Sequence, residues 1–190
     1  MSVMAILRES RVLVGRSTPV RVYSHAMNAS VPKSEGEVLA ACDQALRLAP
    51  SEWPPTLPAS KELLGAPEWY PFEHEAWAIG ESIRRTFVQH AGMKKKTALI
   101  SKVAEVATCR NLRRGRQSFI MAIGFVAACT HASSLVAFLD DPDVDGQVVH
   151  TLLKMRAGGF GEDVASLLHS EKSWVRRLAK KYIERYPSVR

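Results

Sequence analysis

The feature that most constrains this chain is a repeat in its C-terminal half. Shifted by 30 residues, Val148, Val149, Leu152 and Leu153 fall on Leu178, Ala179, Tyr182 and Ile183, and one further step back meets Ser118, Phe119, Ala122 and Ile123. Within each group the apolar positions follow the spacing of one helix face, not the alternation of a strand. Shorter segments ahead of these match at a spacing of 29, with Leu135, Phe138 and Leu139 on Val164, Leu167 and Leu168. Each unit therefore reads as a helix, a short polar turn and a second helix. Neither helix of such a unit buries its apolar face alone, so the units have to stack.

The remainder of the chain is also patterned for helices. Ser34-Glu35-Gly36-Glu37 is a capping-box sequence that opens a helix running to about Leu48, with Val38, Leu39, Cys42, Ala45 and Leu46 as its stripe and Pro50 as its stop. The Glu73-His74-Glu75 run reads as a solvated helix start, because adjacent residues on a helix point in different directions. Trp77, Ile79, Ile83, Phe87 and Val88 mark the helix that follows, which Gly92 stops. Ala98, Ile100, Val103, Val106 and Ala107 mark another, and 119–129 is apolar nearly all round, which predicts burial on most sides. No segment shows sustained period-2 alternation. The expected fold class is all-α: a short α-solenoid of about three helix-turn-helix repeats with an irregular N-terminal arm. Three parts are expected, a leader over 1–23, a helix plus arm over 24–72, and the helical-repeat domain over 73–190.

The periodicity over 94–186, with Val144 and Trp174-Val175-Arg176-Arg177 near the starts of second helices, resembles the helical-repeat families of the HEAT and pentatricopeptide kind. The resemblance rests on period, not on a diagnostic motif. It implies binding through an extended surface rather than catalysis. In size and layout the chain is also similar to lineage-specific accessory subunits of mitochondrial ATP synthase that carry pentatricopeptide-like helices.

Residues 50–72 hold six of the ten prolines, at 50, 54, 55, 58, 67 and 71. Proline removes amide donors and favours extended backbone, so this stretch is expected to be an irregular arm. Trp53, Trp69, Tyr70 and Phe72 are its aromatic anchors, suited either to grooves on the chain's own domain or to docking on a partner.

The first 23 residues carry Arg8, Arg11, Arg16 and Arg21 against Glu9 alone, with Ser2, Ser10, Ser17 and Thr18, a transit-peptide composition. Arg21-Val22-Tyr23-Ser24 resembles the site at which mitochondrial presequences are cut. The expectation is a mitochondrial protein of the matrix or the matrix side of the inner membrane, with a start at Met27 as the competing reading. No apolar run reaches the roughly 18 residues a membrane-spanning helix needs. Peripheral association with a membrane stays open.

The formal net charge of +7 is unevenly placed: +3 over 1–30, −4 over 31–92, +7 over 93–116, −4 over 117–163 and +5 over 164–190. The basic block, Lys94, Lys95, Lys96, Lys102, Arg110, Arg113, Arg114 and Arg116, is the leading candidate for a partner-binding surface. It would attract RNA phosphate, a lipid headgroup or an acidic protein. The shortage of aromatics within it weighs against base stacking.

No catalytic constellation emerges. Asp141-Pro142-Asp143-Val144-Asp145-Gly146 imitates the first half of a calcium loop, but Leu152 stands where the bidentate glutamate belongs, so an acidic inter-helix turn is expected. Gly158-Gly159-Phe160-Gly161 lacks the Lys-Ser/Thr of a phosphate loop and reads as a turn between units. His90, His131, His150 and His169 are scattered. Cys42, Cys109 and Cys129 stand apart in apolar surroundings and read as buried thiols, not as a disulfide frame or a zinc site. The reading is of a non-catalytic subunit without metal or cofactor, in a large mitochondrial assembly such as an oxidative-phosphorylation complex. The alternative is a mitochondrial ribosomal or RNA-processing protein.

Overall fold

A computed structural model describes residues 30–52, 55, 69–125 and 131–187. The leader expected over 1–23, Trp53 and Cys129 lie outside the described residues. Within them the chain is all-helical, with eight α-helices and no strand: α1 Glu35–Arg47, α2 Pro71–Gln89, α3 Thr97–Thr108, α4 Gln117–Ile123, α5 Ala132–Val136, α6 Asp145–Met155, α7 Gly161–Ala165 and α8 Ser173–Arg185. None of these helices is long and apolar enough to cross a membrane.

The capping pattern opens α1 much as its sequence suggests. The Glu37 amide donates to Ser34 Oγ at 3.2 Å, while the Glu37 carboxylate reaches back to the Lys33 amide at 2.8 Å, one residue beyond the standard box. Helix α1 is not part of a separate arm. Val38, Cys42 and Ala45 are fully buried in the same apolar core as the later helices, and Thr86 Oγ1 of α2 donates to the Pro32 carbonyl at 2.7 Å. An apolar stripe on a helix of 13 residues needs a partner face, and α2 and α3 supply it.

The arm also ends earlier than its composition suggests. Pro71 is the first residue of α2, where a missing amide hydrogen costs nothing, so Phe72 is helical. Along α2, Ile79, Ile83 and Phe87 are buried as their spacing requires, whereas Val88 turns outward and is 58 % exposed.

Helices α2, α4, α6 and α8 pack in a row, each against the next, while α3 covers α4, α5 covers α6 and α7 covers α8. The repeat seen in the sequence maps onto this row. Phe119, Val149 and Ala179 are all fully buried, as are Ala122, Leu152 and Tyr182, one turn further along. Each successive member also donates a hydroxyl to a backbone carbonyl of its predecessor or of the turn that ends it. Ser118 Oγ bonds the Trp77 carbonyl at 2.8 Å, Thr151 Oγ1 the Ile120 carbonyl at 3.1 Å, and Tyr182 Oη the Ala157 carbonyl at 2.6 Å. Directional bonds in an otherwise apolar seam favour one relative rotation of each pair.

Helices approach closely at two glycines of the row, at Gly146 of α6, which lies on the Trp174 ring of α8, and between α2 and α4, where Gly80 lies on Ser118 and Phe119. A β-carbon at position 80 would stand 2.1 Å from Ser118 Oγ and 2.7 Å from the Phe119 ring. Gly80→Ala is therefore expected to cost about 1–3 kcal/mol through overpacking, despite alanine's better helix propensity. Urea denaturation checks this, and an unchanged or raised midpoint would contradict the tight α2–α4 seam.

Candidate functional site: an internal ionic clamp and an exposed basic face

The eight cations of 94–116 do not share one surface. Lys94, Lys95 and Lys96 lie on the turn before α3, half-buried or exposed, with Lys96 3.6 Å from Glu35. Lys102 Nζ ties α3 to α1 through Asp43 at 2.8 Å and also meets Glu105 at 3.0 Å. Those bonds raise the Lys102 pKa and lower that of Asp43.

The four arginines occupy a tight 3-10 turn, Arg110–Arg116, between α3 and α4, and they face carboxylates of the chain itself. Glu73, the third residue of α2, is the hub and is 0 % exposed. Its Oε2 accepts from the Tyr70 amide at 2.7 Å and its Oε1 from the Arg114 amide at 3.2 Å. The guanidiniums of Arg114 and Arg113 stand 3.6 and 3.8 Å from it. The solvated start expected for Glu73-His74-Glu75 is thus corrected at Glu73. A carboxylate near a helix N-terminus can both cap and hold cations, and here the arginine turn folds over it.

On its other side the arginine turn meets the acidic turn between α5 and α6. Arg116, also 0 % exposed, pairs with Asp141; Arg113 Nε bonds Asp143 at 3.2 Å; Arg110 lies 3.6 Å from Asp141 and 3.7 Å from Asp140. Burial pulls the Arg116 pKa below its ordinary value, against the opposing pull of Asp141. Its buried Nη1 has no hydrogen-bond partner among the described residues, and the guanidinium carbon lies 4.7 Å from the centroid of the Phe138 ring. The acidic turn is bonded onward as well: Lys172, from the turn before α8, meets Asp145 at 3.0 Å and bonds the Pro142 carbonyl. The three aspartates that imitate a calcium loop are therefore each paired with a cation of a neighbouring turn.

The aromatics of the proline-rich segment close over this clamp. Tyr70 is buried, with Arg113 5.4 Å from its ring centroid, and stacks on Phe72 at 5.5 Å. Trp69 stacks on His74 at 5.1 Å, with Arg114 5.0 Å from its centroid. In this fold Trp69, Tyr70 and Phe72 are occupied by their own domain.

A second set of basic residues, which the sequence analysis does not group together, lies on the outer faces of the helix row. His150 and Lys154 are exposed one turn apart on α6, and Arg177 and Lys181 one turn apart on α8. Arg84 joins them from α2, and Phe125 is contacted by two of these cations: Lys154 Nζ lies 3.0 Å from its ring centroid and the Arg84 guanidinium 5.9 Å. Arg84 is forked onto Glu81, at 2.7 Å. His150, Lys154, Arg177 and Lys181 have no carboxylate partner among the described residues. Partial burial and the Arg84 charge push Lys154 down to about 8, and burial with the charges of Lys154 and Lys181 lowers His150. A spacing of four between basic residues on α6, and again on α8, is the signal that could have found this face.

Cys42 is buried and its thiol pushed up to about 12, so it is inert near neutrality; Cys109 is half-buried. Gly159 takes φ 94° in the turn before α7, as a glycine-rich connection between units requires. No group of three or more potential metal ligands occurs among the described residues. No family model, curated protein or solved structure matches the chain.

The clamp and the basic face respond differently to substitution. Glu73→Ala removes the acceptor of the Tyr70 and Arg114 amides and one of the carboxylates beside buried Arg114 and half-buried Arg113, and is expected to cost about 3–5 kcal/mol in chemical denaturation. A loss under about 1 kcal/mol would mean that Glu73 is dispensable. For Lys154, the folded-state pKa lies below the ordinary lysine value of about 10.5, so the unfolded chain binds more protons between about pH 8 and 10.5. Its charge thus penalises the fold at pH 7, and the penalty is relieved as pH rises through that window. The stability advantage of Lys154→Met over the parent is expected to shrink from pH 7 to pH 10 in paired urea titrations, and a constant difference would contradict it.

Proposed function

We propose that the chain is a non-catalytic binding subunit of a larger assembly, built as a short α-solenoid of three repeats, α3–α4, α5–α6 and α7–α8. The compartment proposed is the mitochondrion, on the arginine-rich composition of 1–23. The observation that carries this reading is the division of charge. The arginines of 110–116 face carboxylates of the chain itself, while Lys154 on the outer face of α6 and Arg177 and Lys181 on that of α8 have no carboxylate partner among the described residues. A rigid frame with an uncompensated outer surface is suited to holding a partner.

Two kinds of assembly suit such a frame. An oxidative-phosphorylation complex such as ATP synthase would engage it through protein subunits. A mitochondrial ribosome or RNA-processing complex is favoured specifically by the cations of α6 and α8, in place of the arginines of 110–116. Charge reversal at Arg113, Arg114 and Arg116 would disrupt the clamp itself, so those positions do not separate the two.

Native purification of the endogenous protein, followed by mass spectrometry, tests the proposal. The expected result is a defined set of co-purifying mitochondrial subunits, and the same experiment reads the mature N-terminus. Recovery of the chain as a free monomer, or in the cytosol with Met27 as its first residue, would overturn the subunit or the mitochondrial assignment respectively.

A further inference from the structure

The cations on the outer faces of α2, α6 and α8 have an arrangement that the internal arginines lack. They form rows: Arg84 on α2, Lys154 on α6 with the imidazole of His150 one turn before it, kept neutral near pH 7, and Arg177 and Lys181 on α8. Cations four apart on a helix lie about 6 Å from each other, and packed helices stand about 8–10 Å apart. The rows are joined, because Lys154 runs over the end of α4, where its Cδ would lie 3.2 Å from a β-carbon at Gly124, and shares the Phe125 ring with Arg84. His150 feels the charges of both Lys154 and Lys181, which places α6 and α8 within one electrostatic field.

We propose that this face, Arg84, His150, Lys154, Arg177 and Lys181, binds the phosphate backbone of a nucleic acid. The inference rests on the binding-subunit reading and names its partner. Charge complementarity selects phosphate. Protein interfaces are depleted in lysine at their centres and are anchored by buried aromatics, whereas nucleic-acid interfaces are polar and strongly positive. Here the one aromatic at the centre, Phe125, is half-buried and carries two cations, and Trp174, 38 % exposed at the N-terminal end of α8, lies one turn before Arg177. Lysine and arginine without a fixed carboxylate fork suit a flexible, repetitive polyanion, where each contact releases a counterion. Among the described residues the carboxylate bonded into the face is Glu81, and Arg84 keeps further guanidinium hydrogens for a phosphate oxygen.

The test is fluorescence anisotropy of the full chain with a labelled single-stranded RNA of about 20 nucleotides and with duplex DNA of matching sequence, between about 50 and 200 mM salt. The expected result is affinity that falls with salt at a slope equivalent to about three to four phosphate contacts, at about 0.7 per contact for the single strand and 0.9 for the duplex. Lys154→Glu with Lys181→Glu is expected to weaken binding at least tenfold. Lys94→Glu with Lys95→Glu, an equal change of net charge off this face, is expected to leave it within about twofold; circular dichroism confirms that both variants fold. Equal losses for the two double variants would overturn the proposal, because net charge alone would then explain binding. Absence of binding to both nucleic acids overturns it too, while a defined set of co-purified proteins would leave the subunit reading standing. Loss of an acidic protein partner, or of anionic vesicles, on Lys154→Glu with no nucleic-acid affinity would assign the face to that partner instead.

Discussion

The rest of the structure depends on how a carboxylate with no access to water is satisfied. Glu73 sits in the first turn of α2, 0 % exposed, and needs donors on both oxygens. The Tyr70 amide supplies one from its own helix start, but the other comes from the Arg114 amide, 41 residues away. That bond places the arginine turn, and so both α3 and α4, relative to α2. A buried ion pair adds little net stability compared with well-packed apolar residues, since desolvation offsets most of the attraction. Its effect is selective, because any packing that separates Glu73 from the arginine turn strands a charge in the interior. Arg113 shows the constraint on the backbone: a non-glycine residue at φ 48° is strained, and it is held there with its side chain on Asp143 and near Glu73.

From this clamp the bonding passes along the turns. The arginine turn binds the acidic turn through Asp141 and Asp143, and the acidic turn binds the next through Asp145 and Lys172. Ser118, Thr151 and Tyr182 make the corresponding links within the helix row itself. These links join each helix of the row, and each turn, to the one beside it. The chain thus carries two parallel series of polar links, one ionic along the turns and one of hydroxyls through the core, on either side of the apolar contacts.

Much of this was legible from the sequence, and the exceptions have a common cause. The 30-residue period located α4, α6 and α8 and their buried faces, because helix periodicity is a local signal that burial has to respect. The capping sequence located α1 for the same reason. What local reading cannot supply is the partner of a charge. Arg110 to Arg116 look like a surface patch because eight cations within 23 residues have a single acid among them, and the carboxylates that absorb the arginines lie 25 to 41 residues away, at Glu73, Asp141 and Asp143. The same limit hid Glu73, whose neighbours His74 and Glu75 suggested solvent. Pro71 and Phe72 were assigned to the arm because proline density was weighed over the first-turn position, where proline is favoured.

The interior constrains the choice of cation. Arginine fills the interior clamp, where its planar fork can meet two carboxylates, or a carboxylate and an aromatic face, and where its charge survives burial. Where the charge meets solvent the two cations share the surface, lysine at Lys95, Lys96, Lys154, Lys180 and Lys181 and arginine at Arg47, Arg110, Arg156, Arg176, Arg177 and Arg185. A compact ammonium on a flexible stem holds little geometry but adapts to a partner whose anions are not fixed in advance. In Lys154 the burden of an unpartnered position shows directly: its ammonium, partly desolvated and beside Arg84, holds its proton less firmly than an ordinary lysine. The internal arginines are held by the chain's own carboxylates, whereas on the outer face Lys154 is set against the like charge of Arg84 and has no carboxylate partner among the described residues. On the reading proposed here, that repulsion is relieved by an anion the chain does not itself contain.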